Sequence, residues 1–206
     1  MTPYTRCMTD MQVSQSYSAR AAEYTSILGS IDDMRPLDKT RIERWSEQIT
    51  GSALDAGCGP GHWTDHLHKR GIEISGIDLV PEFIESARNR FPEVPFRVAS
   101  LRALDVADSS LGGVLAWYSL IHLAPAELPQ ILAELARALK SNGHLLIGFF
   151  DGASAEPLNH VVTTAYHWSV DEMSRLLHDA GFDVLEIETR QDPGSRPHAA
   201  VSAIAR

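Results

Sequence analysis

With 206 residues and a formal charge of −9, the chain has the length of one domain with a small addition. Its apolar fraction of 44% suffices for a full core, and the acidic balance excludes a partner gripped through many phosphates, so no nucleic acid is expected. No run is long and apolar enough to span a membrane (143–150 is the most apolar), and Cys7 and Cys58 offer neither a disulfide framework nor a metal-ligand spacing, so a reducing cytoplasm is expected.

Residues 1–12 read as a loose start. From Ser14, the side chains of Tyr17, Ala21, Tyr24 and Leu28 recur at helical spacing, and Gly29 is the expected stop. Asp38 reads as the cap of a second helix, with Ile42, Trp45 and Ile49 on one face and Gly51 at its end. Two helices ahead of the first strand predict a lid over residues 1–50, followed by one compact unit over 51–206. From Ser52 the pattern alternates, with strands expected at 52–55, 72–77, 95–99, 113–118 and 143–150. Helices are expected between them at 60–70, 81–91 and 125–140, the last carrying a stripe of Leu128, Ile131, Leu132, Leu135 and Leu139 and ended by Asn142-Gly143. Short apolar strands separated by amphipathic helices predict a parallel sheet covered on both faces, with ligands at the carboxyl ends of the strands.

The tail departs from the alternation. Ser169-Val170-Asp171-Glu172 is a capping box for a helix with Met173, Leu176, Leu177 and Ala180 inward and Gly181 behind it. Two strand-like runs follow, 183–190 and 198–205, joined by a link too short for a parallel crossover. The expected fold is therefore α/β, a Rossmann-like doubly wound sheet, mostly parallel with one antiparallel strand near the C-terminus.

Within this frame one stretch carries chemistry, Leu54-Asp55-Ala56-Gly57-Cys58-Gly59-Pro60-Gly61, followed by Gly76-Ile77-Asp78-Leu79. It reads as a strand end, a glycine-rich turn, a helix start and the acidic end of the next strand, which is an adenosine-binding arrangement. A dinucleotide fingerprint wants a third glycine where His62 stands, and Asp55 would repel a pyrophosphate but suits a ligand bearing an amino group. The cofactor expected is S-adenosylmethionine. Gly57, Cys58 and Gly59 would face its methionine part, with Asp55 on the amino group. Asp78 would accept from both ribose hydroxyls, the alternative being a capping acid ahead of Pro81, and Leu79 would pack on the adenine. Ser100 and Leu101 sit where the adenine edge is expected, with Arg102 beside them solvated. Trp117 ends the fourth strand and, with Trp63, Tyr17 and Tyr24, is a candidate aromatic neighbour of a sulfonium, the alternative being ordinary core packing.

LDAGCGPG resembles the first motif of the class I S-adenosylmethionine-dependent methyltransferases, and GIDLV resembles the second. LAWYSLIHL is similar to their fourth-strand motif, and HWSVDEMSRLLHDAGFDVLEIE to the C-terminal helix and strand of the small-molecule branch, as found in compact bacterial proteins. The resemblance spans roughly residues 14–206 and implies the fold and the cofactor, while saying very little about the acceptor.

Methyl transfer is an in-line displacement, so the residues must mainly align the reactants and exclude water, with no metal expected. A base helps where the acceptor loses a proton, and His122, after the fourth strand, is the candidate by position, the alternative being a packing histidine. Tyr118, His122, His160, Tyr166 and Trp168 are expected to wall an acceptor pocket, and Arg196 and His198 can face the same cleft. A small-molecule acceptor and a monomer or homodimer are expected. Two other readings share the glycine turn: an NAD(P)-dependent oxidoreductase and a non-catalytic protein that binds S-adenosylmethionine or S-adenosylhomocysteine.

Overall fold

The computed structural model describes residues 3–158, 160 and 162–206, with side chains described from residue 10 onward. Two helices, α1 (Pro3–Ser18) and α2 (Ala21–Leu28), a 3-10 turn at Ile31–Asp33 and α3 (Pro36–Ser46) precede the first strand. The alternation then runs β1 (Ala53–Ala56), α4 (His62–Lys69), β2 (Ile74–Asp78), α5 (Pro81–Arg90), β3 (Phe96–Val98), β4 (Leu111–Trp117), α6 (Leu128–Ala138) and β5 (Leu139–Phe150). The small hairpin β6 (Pro157–Leu158) and β7 (Ala165–Tyr166) leads to α7 (Val170–Asp179), β8 (Phe182–Arg190) and β9 (His198–Ala205).

Seven strands form one sheet in the order β3-β2-β1-β4-β5-β9-β8. The first five are parallel, and β9 alone runs against both its neighbours, β5 and β8. The expected fold class is thus the observed one. Every residue of β1, and all of β4 but Trp117, is buried, as strands covered on both faces require. Leu128, Ile131, Leu132 and Leu135 lie on the inner stripe of α6, each at most 1% exposed. Ser169 caps α7 as its sequence demands, its hydroxyl accepting from the Glu172 amide at 3.2 Å. After β3 the chain crosses back to lay β4 on the other side of β1, so a crevice opens where β1 and β4 part at the carboxyl edge.

Several boundaries differ from expectation. The start is no loose segment: α1 begins at Pro3, and its helix is pinned by Asp10 and Ser14 to the sheet edge rather than by an apolar stripe of its own. The run expected as one helix from Ser14 to Leu28 breaks at Ala19 and Arg20 into α1 and α2. Arg35, not Asp38, is the cap of α3; Pro36 opens the helix, and Asp38 sits in its first turn bonded to Arg190 at 2.9 Å. That helix stops at Ser46, short of Gly51. The helix α6 ends at Ala138, because Leu139 pairs with Leu111 and enters β5, with Asn142 taken up in an irregularity at φ 62°. Arg102 is not solvated; its side chain is 17% exposed and bridges Asp10 and Glu127.

Candidate active site

The site grows from the turn after β1. Gly57, Gly59 and Gly61 all have positive φ, at 89°, 52° and 83°, a region that side-chain-bearing residues rarely adopt. Two of these glycines serve different ends. A Cβ on Gly57 would lie 2.2 Å from the Cβ of Ser119, so packing forbids a side chain there. A Cβ on Gly59 would meet no heavy atom within 4 Å, because that residue borders open space. The amides of Gly57 and Cys58 donate to the Ile77 carbonyl at 2.8 and 2.9 Å, which ties the turn to β2.

Two carboxylates flank the turn. Asp78 accepts from the Gly59 amide at 2.8 Å and from the Val80 amide at 2.9 Å, one on each oxygen. Burial pushes its pKa up and these amides pull it down. Each oxygen keeps a second acceptor position, which is what a pair of ribose hydroxyls needs. Asp78 also holds the entry to α5 through the Val80 amide, so the capping role weighed for it leaves room for the ribose role. Asp55, 2% exposed, accepts from the Thr64 hydroxyl at 2.7 Å, and burial raises its pKa to about 7.

Three cavities meet here. The first, about 110 Å³, is lined by Val13, Tyr17, Asp78, Leu79, Leu101 and Trp117 together with Gly57 and Gly59. The second, about 300 Å³, shares Tyr17, Tyr24, Gly57, Gly59 and Trp117 with it and adds Asp55, Cys58, Trp63, Phe150, His160 and His198. A third, about 280 Å³, continues past Trp117 and Tyr118 to Asp38, Arg41, Arg190 and His198.

Helix α1 roofs the first cavity. Asp10 accepts from the Ser100 hydroxyl at 2.7 Å and from Arg102 Nε at 2.8 Å, Ser14 donates to the Leu79 carbonyl at 3.1 Å, and Ser18 donates to Glu82 at 2.6 Å. Tyr17 Oη lies 2.7 Å from His122 Nε2, and His122 Nδ1 lies 2.8 Å from the Thr164 carbonyl. A carbonyl can only accept, so Nδ1 carries the proton and Tyr17 donates to Nε2. Burial lowers the pKa of His122 and raises that of Tyr17. Both ring nitrogens of His122 are thereby engaged.

Most of the residues singled out in the sequence converge: Asp55, Gly57, Cys58, Gly59, Trp63, Asp78, Leu79, Leu101, Trp117, Tyr118, Tyr17, Tyr24, His122 and His160 all line these cavities. Three do not. Ser100 turns its hydroxyl to Asp10, Trp168 is 4% exposed inside the main core, and Tyr166 sits on the small hairpin, its amide donating to Ile121. The sequence reading missed Val13, Asp38, Phe83, Ser119 and Phe150, which line the same space. Of these, only Asp38 carried a signal, and it was spent on a helix cap.

Residues 53–143, from β1 into β5, match a family described as a methyltransferase domain. The stretch from β1 into β5 is thus similar to a methyltransferase domain. The chain is 33% identical over 104 residues to a magnesium-protoporphyrin O-methyltransferase of Rhodobacter capsulatus, covering 48% of this chain and 46% of the relative. It is 26% identical over 155 residues to a malonyl-[acyl-carrier protein] O-methyltransferase of Serratia marcescens, covering 73% of this chain and 60% of the relative. The chain thus spans less than two thirds of either relative's length. Among solved structures, the fold is similar to magnesium protoporphyrin IX methyltransferase from Synechocystis, with bound S-adenosylmethionine, at TM-score 0.76 and 16% identity over 96% of this chain and 97% of that one. It is similar to 1,6-didemethyltoxoflavin-N1-methyltransferase from Burkholderia thailandensis at TM-score 0.75 and 18% identity, over 100% and 91% of the two chains. At such identities the likeness is one of fold. Among the described residues, no helix is long and apolar enough to cross a membrane.

Proposed function

We propose that the chain transfers a methyl group from S-adenosylmethionine to a small-molecule acceptor by in-line displacement. The observation that carries this reading is the pairing of Asp78 with Gly59: a carboxylate with spare acceptor positions beside a glycine that faces open space. When bound, S-adenosylmethionine supplies a methyl group activated by a positive sulfur. Asp78 would hold the ribose, Leu79 and Leu101 the adenine, and Asp55 would face the amino group. His62, buried at the first helical position where a dinucleotide fingerprint wants glycine, argues against a nicotinamide cofactor.

The residues of this chain would act by position and by exclusion of water. Residues 1–50 serve as a lid, with Val13 and Tyr17 of α1 closing the first cavity. His122 holds that lid through Tyr17, so any proton transfer by His122 would pass through the tyrosine hydroxyl. The free, buried thiol of Cys58 fits a reducing cytoplasm.

Calorimetry tests the reading. The chain should bind S-adenosylhomocysteine in the micromolar range, and Asp78→Ala should weaken this about tenfold or more, the worth of a good bidentate contact. Absence of binding to either form of the cofactor would sink the proposal. A fluorescence titration with NADH, expected to show no binding, separates it from the oxidoreductase reading.

A further inference from the structure

The end of the second cavity away from Asp78 is walled by rings. Tyr118 follows β4, Phe150 ends β5 and His198 opens β9, and their ring centroids lie 5.3, 5.6 and 5.7 Å apart. His160 joins them 6.1 Å from Phe150. They meet because β9 is antiparallel: its first residue, His198, pairs with Phe150, the last of β5, and so stands at the carboxyl edge of the sheet. Tyr118 holds φ 57°, a conformation that costs about 1 kcal/mol or more in a residue with a side chain and persists where the surroundings enforce it. Its hydroxyl lies 2.5 Å from His198 Nδ1. His198 Nε2 has no hydrogen-bond partner among the described residues, and the ring lines the cavity that also contains Gly57 and Gly59. The groups around His198 are Arg190, Arg35, Arg196 and Asp38; burial foremost, then Arg190 and Arg35, pushes the pKa of the imidazole down.

We propose that His198 is the catalytic base that takes the acceptor's proton, with Tyr118 as its positioning residue, and that the acceptor is a hydroxyl-bearing planar ring seated among these side chains. The proposal rests on the methyl-transfer reading above. Tyr118 Oη accepts from His198 Nδ1–H, which leaves the Nε2 lone pair for the cavity. As the acceptor oxygen attacks, its O–H bond breaks and the proton passes to Nε2. An O–CH₃ bond forms, the S–CH₃ bond breaks, and its electron pair stays on sulfur, leaving neutral S-adenosylhomocysteine. The imidazolium then returns its proton to solvent. This division of labour gives the two histidines separate tasks, since His122 has both nitrogens engaged by Tyr17 and Thr164.

The test uses the full chain with 4-nitrophenol as probe, first with S-adenosylhomocysteine bound. At a pH just below the free phenol's own pKa, pairing of the phenolate with the His198 imidazolium, which offsets the burial that lowers the imidazole's pKa in the empty site, should give the visible phenolate band. His198→Gln should remove the band and weaken phenol binding about tenfold or more, while leaving S-adenosylhomocysteine affinity within about twofold. Tyr118→Phe should retain the fold, lower the phenolate yield several-fold and move the His198 titration followed by NMR. It decides the matter if the His198 variant does not fold. A protein that binds S-adenosylhomocysteine but shows no phenolate band, or variants that keep the full band, would overturn the proposal and leave the methyl-transfer reading standing. Failure to bind S-adenosylhomocysteine overturns that reading instead, and the phenol titration of the unliganded protein then decides the role of His198 by the same criterion.

Discussion

Single residues divide here into those the fold needs and those the proposed ligand needs, and the glycine turn shows both kinds two positions apart. Gly57→Ala must move Ser119, whose Cβ would be 2.2 Å away, and must hold φ 89°. It should cost about 2 kcal/mol or more of stability, read as a lowered urea midpoint. Gly59→Ala meets no atom and should cost only about 1 kcal/mol for its φ of 52°. Its methyl group would stand in the open space proposed for the cofactor, so calorimetry should show loss of S-adenosylhomocysteine binding in a folded protein. If both variants behave alike, the distinction between packing and ligand approach fails. This turn was legible from the sequence because its signal is local: glycine spacing and the acid at Asp78 need no knowledge of distant partners.

At the scale of elements, the contrast between α6 and α1 shows where that legibility ends. The stripe of α6 announces its buried face through four leucines and isoleucines at helical spacing. Helix α1 has no such stripe; what holds it are polar contacts to residues 64 to 105 positions away, among them Ser14 to Leu79 and Tyr17 to His122. No window of sequence contains both partners, so the part of the helix before residue 13 reads as a loose start and only the part from Ser14 as helical. The same cause hid Arg102, whose partners Asp10 and Glu127 come from α1 and from the entry to α6. The 157–166 hairpin went unread because its strands are two residues each and Trp168 behind it belongs to the core. Asp10→Ala removes the acceptor for both Ser100 and Arg102. It should cost about 1 kcal/mol of stability, since the ion pair is partly exposed, and should raise the dissociation rate of S-adenosylhomocysteine several-fold in stopped-flow measurements. An unchanged rate would mean that α1 does not cover the ligand.

The whole molecule adds a dependence on pH through Asp55. Its folded pKa of about 7 stands above the roughly 3.9 of an unfolded aspartate. The folded chain therefore binds the extra proton between those values, and Asp55 contributes stability that is present at low pH and lost as pH rises through about 7. Asp55→Asn, which keeps an acceptor for Thr64, should remove that decline, so the urea midpoint of the variant should gain on the wild type between roughly pH 4 and pH 7. A parallel course of the two curves would show that Asp55 is ionised throughout. Using the difference between two proteins matters, because His62, lowered to about 4 by burial, contributes a slope of the opposite sign. The one antiparallel strand was accessible from the sequence at this scale, since the short link before β9 excluded a parallel crossover. What that link did not reveal was that β9 would stand between β5 and β8, which is how His198 comes to line the cavity.

The fastening of α1 at both ends of the first cavity, through Ser100 and through His122, finally bears on time rather than on affinity. A ligand beneath a helix pinned twice leaves only when both pins are open together. Departure of the spent cofactor, not bond making at carbon, would then set the pace of each cycle.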